Sequence, residues 1–200
     1  MAETYQLYID GKWRPASDGA TIPAINPYDQ SVHAHVAVAT AEDVAEACAA
    51  ARRAYDCHWS KTTPGQRAAL MNKLADLIDA NAKELALLET VDNGKVIRET
   101  SSQMTQAARL FRYYAGWGDK ITGDFIPLDQ GDTNGVILRE AYGVVACITA
   151  WNSPIAILCN TLPGALAAGN CVIVKPSEHA STTTLEIAKL CEQAGFPAGV

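Results

Sequence analysis

The sequence predicts an α/β fold with a parallel sheet, and the strongest observations lie in its last third. Two short apolar runs, G-V-V-A-C-I-T at residues 143–149 and C-V-I-V at residues 171–174, are typical of strands covered on both faces. The Ala- and Leu-rich segment between them begins at Pro154, a favoured first helical residue, and stops at Gly169, which favours the position after a helix. This order predicts a βαβ unit. In an open parallel sheet, ligands bind beyond the carboxyl ends of the strands.

The residues before this unit predict strands followed by helices. Residues 7–13 predict a strand and turn, with Asp10-Gly11 as the hairpin signal. A helix is predicted from Thr40 to about Trp59, because Thr40 is a suitable N-cap and Asp43 follows three residues later. The residues predicted to face inward from this helix are Val44, Ala47, Cys48, Ala51 and Tyr55.

Three further helices are predicted. The longest begins at Thr63, an N-cap candidate, has Pro64 in its first turn and ends at Asn93-Gly94. Its apolar stripe consists of Leu70, Leu74, Leu77, Ile78, Leu85 and Leu88. Helices are also expected over residues 99–116 and 181–193.

Residues 123–142 have a different character. They are rich in Gly, Asp and Thr and then run through Val136, Ile137 and Leu138, which predicts a hairpin or an edge arm. An exposed strand edge offers a surface for pairing with another chain. The alternative is a surface hairpin packed on its own domain.

Composition excludes several classes of protein. With 200 residues, 48% of them apolar, and a net charge of −6, the chain can form a domain with a substantial core, and it has no basic stripe for nucleic acid. The N-terminus lacks the basic and apolar regions of a signal peptide, and no apolar stretch reaches the ~18 residues of a membrane span. We therefore expect a cytoplasmic protein with no membrane partner. The six cysteines form no C-x-x-C motif and are expected to be reduced and mostly buried, and the four histidines show no metal-ligand spacing.

Polar residues follow both predicted strands. The first run leads into Ala150, Trp151 and Asn152, and the second leads into K-P-S-E at residues 175–178. The amide of Asn152 could donate to an oxygen that gains negative charge during a reaction, or it could cap the helix that starts at Pro154. Trp151 could equally be a core aromatic residue.

Several longer motifs show a resemblance to a known family. The motifs are I-D-G-K-W at residues 9–13, L-E-T-V-D-N-G-K at 88–95, R-Y-Y-A-G-W at 112–117, G-A-L-A-A-G-N at 164–170, K-P-S-E at 175–178 and A-G-F-P-A-G-V at 194–200. In this order and at this spacing, they make the sequence resemble the N-terminal portion of the NAD(P)-dependent aldehyde dehydrogenase superfamily. The resemblance implies a Rossmann-like cofactor domain, incomplete at its C-terminus, with a β-hairpin arm for oligomerisation.

The resemblance also implies roles for individual residues. Asn152 would donate to the oxyanion of a Cys thiohemiacetal, and Ile148, Thr149, Ala150 and Trp151 would line the cofactor channel. The segment of Lys175, Pro176, Ser177 and Glu178 would bind the cofactor, with the Lys175 ammonium and the Glu178 carboxylate on the ribose hydroxyls. The alternative is that Lys175 and Glu178 form only a surface ion pair. A carboxylate there would repel the 2′-phosphate of NADP, which favours NAD and leaves NADP as an alternative. Many family members have a large apolar residue where this chain has Ser153.

The domain prediction follows from the same resemblance. Residues 1–122 are assigned to the N-terminal strands and helices of the cofactor domain, residues 123–142 to the arm, and residues 143–200 to the first βαβ part of the NAD-binding domain. The nucleophilic Cys, the base Glu and the catalytic domain are expected to be absent, so the chain alone should be inactive. The full-length protein would oxidise a small-molecule aldehyde to a carboxylic acid as a homodimer or homotetramer. The alternatives are a non-catalytic nucleotide-binding or oligomerisation fragment, or part of a semialdehyde or CoA-acylating enzyme.

Overall fold

The computed structural model describes residues 3–200 and has a mixed α/β fold with parallel strand pairs, which confirms the predicted fold class. Met1 and Ala2, the start of the segment predicted over residues 1–122, lie outside the described residues. The strands are β1 (Glu3–Tyr5), β2 (Leu7–Ile9), β3 (Lys12–Arg14), β4 (Thr21–Ile25), β5 (Val32–Ala37), β6 (Asp124–Pro127), β7 (Asn134–Ile137), β8 (Val144–Ile148) and β9 (Cys171–Lys175). The helices are α1 (Ala41–Cys57), α2 (Pro64–Ala80), α3 (Ala82–Asn93), α4 (Ile97–Ala115), α5 (Pro154–Ala167) and α6 (Thr182–Ala194).

The N-terminal strands form a small sheet and a hairpin. In the sheet, β5 lies between β1, to which it is parallel, and β4, to which it is antiparallel. The predicted hairpin is formed by β2 and β3. Its turn residues Asp10 and Gly11 have φ values of 53° and 71°. Two consecutive positive φ angles suit a two-residue hairpin turn, and Asp-Gly is a favoured sequence for it.

The two predicted N-caps are confirmed. The Thr40 hydroxyl accepts the Asp43 N–H, and the Asp43 carboxylate accepts the Thr40 N–H at 2.9 Å. Thr63 forms the same reciprocal capping box with Gln66, and Pro64 occupies the first turn of α2. These bonds satisfy N–H groups that have no partner within the helix.

The predicted inward face of α1 is wrong in part. Val44 and Cys48 are exposed, whereas the buried apolar residues of this helix are Ala50, Ala51 and Ala54. A Cβ atom added to Gly199 would lie 2.8 Å from the carbonyl oxygen of Ala50. The C-terminal backbone therefore lies directly against α1, and only small side chains leave room for this approach.

The single long helix predicted from Thr63 to Asn93 is also wrong, because α2 and α3 are separate helices that meet at Asn81. The Asn81 side-chain amide donates to the Leu77 carbonyl at 2.8 Å, and its backbone N–H donates to the same oxygen at 3.1 Å. A short polar side chain that bonds a nearby backbone carbonyl competes with helix continuation. The predicted end at Gly94 is confirmed, with a left-handed φ of 77°.

The main core lies between the helices and the β8–β9 pair. Helices α4 and α6 occupy the segments predicted for them to within a few residues. The largest side chains that are fully buried come from α2, α4, α5, α6 and the short 3₁₀ turn at Trp59–Lys61. They are Trp59, Met71, Leu74, Ile78, Met104, Phe111, Ile155, Leu158 and Ile187.

The predicted βαβ unit is present as β8, α5 and β9, with the two strands parallel. The expectation that both strands are covered on both faces is not met by residues 3–200. Cys147 and Cys171 are buried, but Ala146 and Ile148 are exposed. An apolar residue on an open face of a strand is a position where further protein can pack.

The predicted hairpin is formed by β6 and β7, which pair antiparallel from Asp124 opposite Ile137 to Pro127 opposite Asn134. Nearly every residue of this arm is exposed, including Phe125, Val136 and Leu138. Within residues 3–200, the hairpin is therefore not packed on its own domain. Within residues 3–200, no helix is long and apolar enough to cross a membrane.

Candidate active site

The polar segments after β8 and β9 leave the sheet at the same edge. The strands pair in register, with Val144 opposite Cys171 and Ile148 opposite Lys175. The ladder extends one residue further, because the Thr149 N–H donates to the Lys175 carbonyl at 3.1 Å. The loop that contains Asn152 therefore starts beside the loop that contains Glu178, as the sequence pattern predicts for an open parallel sheet.

Asn170 holds the starts of the two strands together. Its side-chain oxygen accepts the Gly143 N–H at 3.0 Å, and its side-chain amide donates to the Ala165 carbonyl at 3.1 Å. The indole N–H of the buried Trp59 donates to the Asn170 carbonyl at 3.0 Å. Because these bonds fix where β8 begins relative to β9, they also fix where both strands end.

Asn152 is exposed, and its side chain forms no hydrogen bond with residues 3–200. The N-cap of α5 is Ser153, which makes no side-chain capping bond. The structure therefore does not support the alternative in which Asn152 caps the helix. Both N–H groups of its amide are available to a ligand.

The residues before Asn152 differ in exposure. Ile148 is 73% exposed and Trp151 is 55% exposed, so Trp151 is not a core residue of the described chain. Ala150 is also exposed. Thr149 is buried, and its hydroxyl has no hydrogen-bond partner among residues 3–200.

The second polar segment has two charged side chains at its surface. The Lys175 ammonium lies 3.4 Å from the Glu178 carboxylate, and more than half of each side chain is exposed. A backbone hydrogen bond at Glu178 itself, and then the ammonium of Lys175, lower the pKa of this carboxyl group. The geometry is that of the surface ion pair considered above. It also leaves donors on the ammonium and lone pairs on the carboxylate for a ligand.

Pro176 and Ser177 form the turn between these charged residues. Pro176 is half-buried and Ser177 is buried. The Ser177 hydroxyl accepts the His179 N–H at 3.3 Å, and its carbonyl accepts the Ser181 hydroxyl at 3.0 Å. The polar atoms of Ser177 thus stabilise the turn that presents Lys175 and Glu178.

A contact that sequence reasoning missed lies beside Asn152. The ammonium of Lys95 donates to the Ser153 hydroxyl, which itself donates to the Asn152 carbonyl at 2.7 Å. The side-chain amide of Asn93 donates to the Trp151 carbonyl at 3.5 Å. Asn93 and Lys95 belong to the motif L-E-T-V-D-N-G-K. The motif served only as a family signature, which gave no indication of these contacts.

A buried carboxylate, also missed, lies behind this contact. Glu89 is 0% exposed, and its Oε2 atom has no hydrogen-bond partner among residues 3–200. Burial raises the pKa of Glu89 to about 7, although the Ile155 N–H and Lys95 oppose the rise. The Gln103 amide can bridge the two charges, donating to Glu89 at 3.2 Å and accepting from Lys95 at 2.8 Å. The available signal was a carboxylate four residues after Leu85, in line with the apolar stripe.

Comparison with known proteins identifies the family. The model of the aldehyde dehydrogenase family matches residues 13–200. The chain belongs to the aldehyde dehydrogenase family. It is 48% identical over 200 residues to (Z)-2-((N-methylformamido)methylene)-5-hydroxybutyrolactone dehydrogenase of Acinetobacter baylyi, covering 99% of this chain and 40% of that protein.

Solved structures of aldehyde dehydrogenases share the fold. The NAD-dependent aldehyde dehydrogenase of Sinorhizobium meliloti superposes with a TM-score of 0.95 and 38% identity, over 100% of this chain and 40% of that one. A point mutant of betaine aldehyde dehydrogenase of Staphylococcus aureus, solved in complex with NAD⁺, gives a TM-score of 0.94 and 38% identity over 98% of this chain and 39% of that one. The chain thus spans about 40% of the length of the relatives it matches.

The cysteines of this aldehyde dehydrogenase chain are all free thiols. Cys147, Cys159 and Cys171 are buried and Cys191 is half-buried, as expected, whereas Cys48 and Cys57 are exposed on α1. Burial raises the pKa of Cys171 and of Cys191 to about 12. Because the thiolate is the reactive form, these thiols are poor nucleophiles. Among residues 3–200, no three His, Cys, Asp or Glu side chains are grouped to hold a metal ion.

Proposed function

We propose that the protein containing this chain oxidises an aldehyde to a carboxylic acid, with NAD as the preferred hydride acceptor. Membership of the aldehyde dehydrogenase family supports the reaction class. The observation that carries the proposal is the position of Asn152, whose side chain has no partner among residues 3–200, at the edge where β8 and β9 end level.

Asn152 is the residue proposed to act on the reacting carbonyl. Its amide donates without carrying a charge, so it can stabilise an oxygen whose negative charge grows when a nucleophile attacks the aldehyde. A donor that makes no bond within the described chain exchanges only water, and no protein partner among these residues, when it binds substrate. Loss of one such donor typically raises the barrier by about 2.7 to 4 kcal/mol.

Lys175 and Glu178 are proposed to bind the ribose of NAD. The cofactor, when bound, accepts the hydride that leaves the substrate. The ammonium and the carboxylate fit two ribose hydroxyls because one group donates and the other accepts, and both are exposed beside Asn152's loop. Pro176 and Ser177 shape this turn, and Ile148, Thr149, Ala150 and Trp151 are proposed to contact the cofactor from the β8 side. The lowered pKa of Glu178 keeps its carboxylate charged, which disfavours a 2′-phosphate.

The nucleophile is proposed to lie outside this chain. The thiols on β8, α5, β9 and α6 have raised pKa values, and neither Cys48 nor Cys57, both exposed on α1, belongs to the segments after β8 and β9. We therefore expect the 200-residue chain alone to be inactive. Production of NADH from acetaldehyde or benzaldehyde by this chain, abolished by thiol alkylation, would contradict that expectation.

The arm is proposed to join subunits into a homodimer or homotetramer. Its exposed apolar residues and free strand edges are suited to pairing with a second copy. Charged substitutions at Phe125 and Val136 in the full-length protein should lower the mass measured by light scattering. An unchanged mass would contradict the role of the arm.

The proposed reaction is tested by Asn152→Ala in the full-length protein. We expect kcat to fall by about 10²- to 10³-fold, because the donor acts mainly on the transition state. The dissociation constant for NAD should stay near its original value. Asn72→Ala, at an exposed position of α2, is the matched control. An unchanged kcat, or a loss confined to NAD affinity, would contradict the oxyanion role.

A further inference from the structure

We propose that Lys95 is a positioning residue for Asn152 and acts through the hydroxyl of Ser153. The inference rests on the proposed oxyanion role of Asn152. The reason to look for such a residue is that the Asn152 side chain is not held by any hydrogen bond with residues 3–200. Its placement therefore depends on the backbone that carries it.

That backbone is held on both sides of Asn152. The carbonyl before it, of Trp151, accepts from the Asn93 amide at 3.5 Å. Its own carbonyl accepts from the Ser153 hydroxyl at 2.7 Å. Because the two peptide planes that meet at the Asn152 Cα both have side-chain partners, rotation of either plane would break a hydrogen bond. Such rotations are the ones that would move the amide away from a substrate oxygen.

The direction of the hydrogen bonds links Lys95 to the Asn152 carbonyl through the Ser153 hydroxyl. The Ser153 hydroxyl has one proton, and it is used toward the Asn152 carbonyl. The oxygen can then only accept from Lys95, whose ammonium only donates. Lys95 thus favours the orientation of the hydroxyl toward the Asn152 carbonyl, since a rotation toward Lys95 would point the O–H at an ammonium that cannot accept it.

The turn at the end of α3 presents both Asn93 and Lys95 to the loop. Gly94 has a left-handed φ of 77°, and the Lys95 N–H donates to the Asn93 side-chain oxygen at 2.9 Å. A Cβ atom on Gly94 would lie 2.8 Å from Cγ of Pro27, so the Pro27 side chain packs closely against this turn. Farther along the Lys95 side chain, the Gln103 amide oxygen can accept from the ammonium at 2.8 Å.

The arrangement depends on the hydroxyl of Ser153, which contacts both Lys95 and the Asn152 carbonyl. An apolar side chain at this position could neither accept from Lys95 nor donate to the Asn152 carbonyl. The loop after β8 would then lose its link to Lys95, and Lys95 would lose a partner. We expect the hydroxyl of residue 153, and not its size, to govern the position of the Asn152 amide.

The test uses the full-length protein, with acetaldehyde and NAD as substrates. Ser153→Ala removes the hydroxyl that links Lys95 to the Asn152 carbonyl. Ser153→Thr retains a hydroxyl, and Lys95→Met removes the ammonium that donates to it. We expect Ser153→Ala and Lys95→Met each to lower kcat about tenfold with an unchanged dissociation constant for NAD, and Ser153→Thr to keep most of the activity. Ser102→Ala and Lys73→Met, at exposed positions of α4 and α2, are the matched controls.

The decisive measurement repeats Ser153→Ala and Lys95→Met in the Asn152→Ala background. If both residues act by placing Asn152, neither should lower kcat further once its amide is gone. A tenfold loss in that background as well would overturn the inference while leaving the oxyanion role intact. If Asn152→Ala alone leaves kcat unchanged, the proposed function fails instead. If Ser153→Ala does not fold, as judged by thermal melting, the same criterion is applied to Lys95→Met, measured in the wild-type and in the Asn152→Ala background.

Discussion

The buried carboxylate of Glu89 makes stability depend on pH in a direction opposite to that of most carboxylates. Glu89 is 0% exposed, and burial raises its pKa from the ordinary 4.5 to about 7. Between these values, the folded protein holds a proton that the unfolded chain has released. The free energy of unfolding must therefore fall as the pH rises from about 4.5 to 7.

The size of the effect follows from the same two values. One pKa unit corresponds to about 1.4 kcal/mol, so the change from 4.5 to about 7 corresponds to about 3 kcal/mol across the window. Below pH 4.5 the group is protonated in both states, and its contribution is constant. Above pH 7 it is ionised in both states, and the full loss persists.

The assay compares the wild-type protein with Glu89→Gln, which has nearly the same shape and does not titrate. Urea unfolding from pH 4 to pH 8 gives a free energy of unfolding for each protein at each pH. Burial also raises the pKa of Asp92, which is present in both proteins, so the difference reports Glu89 together with its interaction with Asp92. We expect the wild-type protein to lose about 3 kcal/mol relative to the variant between pH 4.5 and 7.

Two results would refute this reasoning. A difference between the proteins that is constant over the whole range would mean that Glu89 titrates alike in the folded and unfolded states. A wild-type protein that becomes more stable relative to the variant as the pH rises would mean that Lys95 and the Ile155 N–H outweigh burial, which reverses the order of the effects described above.

Three further outcomes are expected. Asn170→Ala leaves the buried Gly143 N–H without its acceptor, so it should lower the free energy of unfolding by about 1 to 3 kcal/mol and speed hydrogen exchange at that amide, and unchanged exchange would contradict the bond. In the full-length protein, Glu178→Gln should raise the ratio of kcat/KM for NADP to that for NAD by about tenfold, whereas a constant ratio would mean that Glu178 does not contact the ribose. Gly94→Ala should destabilise the protein by about 1 kcal/mol or more, measured by urea unfolding, because φ there is 77°, and a neutral result would show that the turn before Lys95 can relax.

Local signals in the sequence predicted the framework well. The caps at Thr40 and Thr63, the hairpin turn at Asp10-Gly11 and the end of α3 at Gly94 are each determined by residues within one turn of chain. The βαβ unit was predictable because apolar runs and their flanking turn residues agree. The break at Asn81 was not predicted, because one polar residue interrupts an apolar stripe that otherwise continues on both sides.

The site was predictable in outline only. The position of Asn152 followed from the end of β8, whereas the link from Lys95 to Ser153 joins residues that lie far apart in the sequence. No local pattern reports such a contact. Glu89 was missed because helical periodicity was counted over apolar residues alone, and a carboxylate on the buried face does not enter that count. The residues that were missed are therefore those whose surroundings come from distant parts of the chain.

The last residues of β8 and β9 lie opposite each other, and this restricts where the chain can gain or lose residues. Deleting one residue within β9 would move Lys175 by about 3.3 Å along the strand and turn its side chain to the opposite face. The same deletion in the exposed turn between β6 and β7 would leave the distant sheet unchanged. Insertions and deletions among natural variants should thus be absent from β8 and β9 and should accumulate at the tip of the arm.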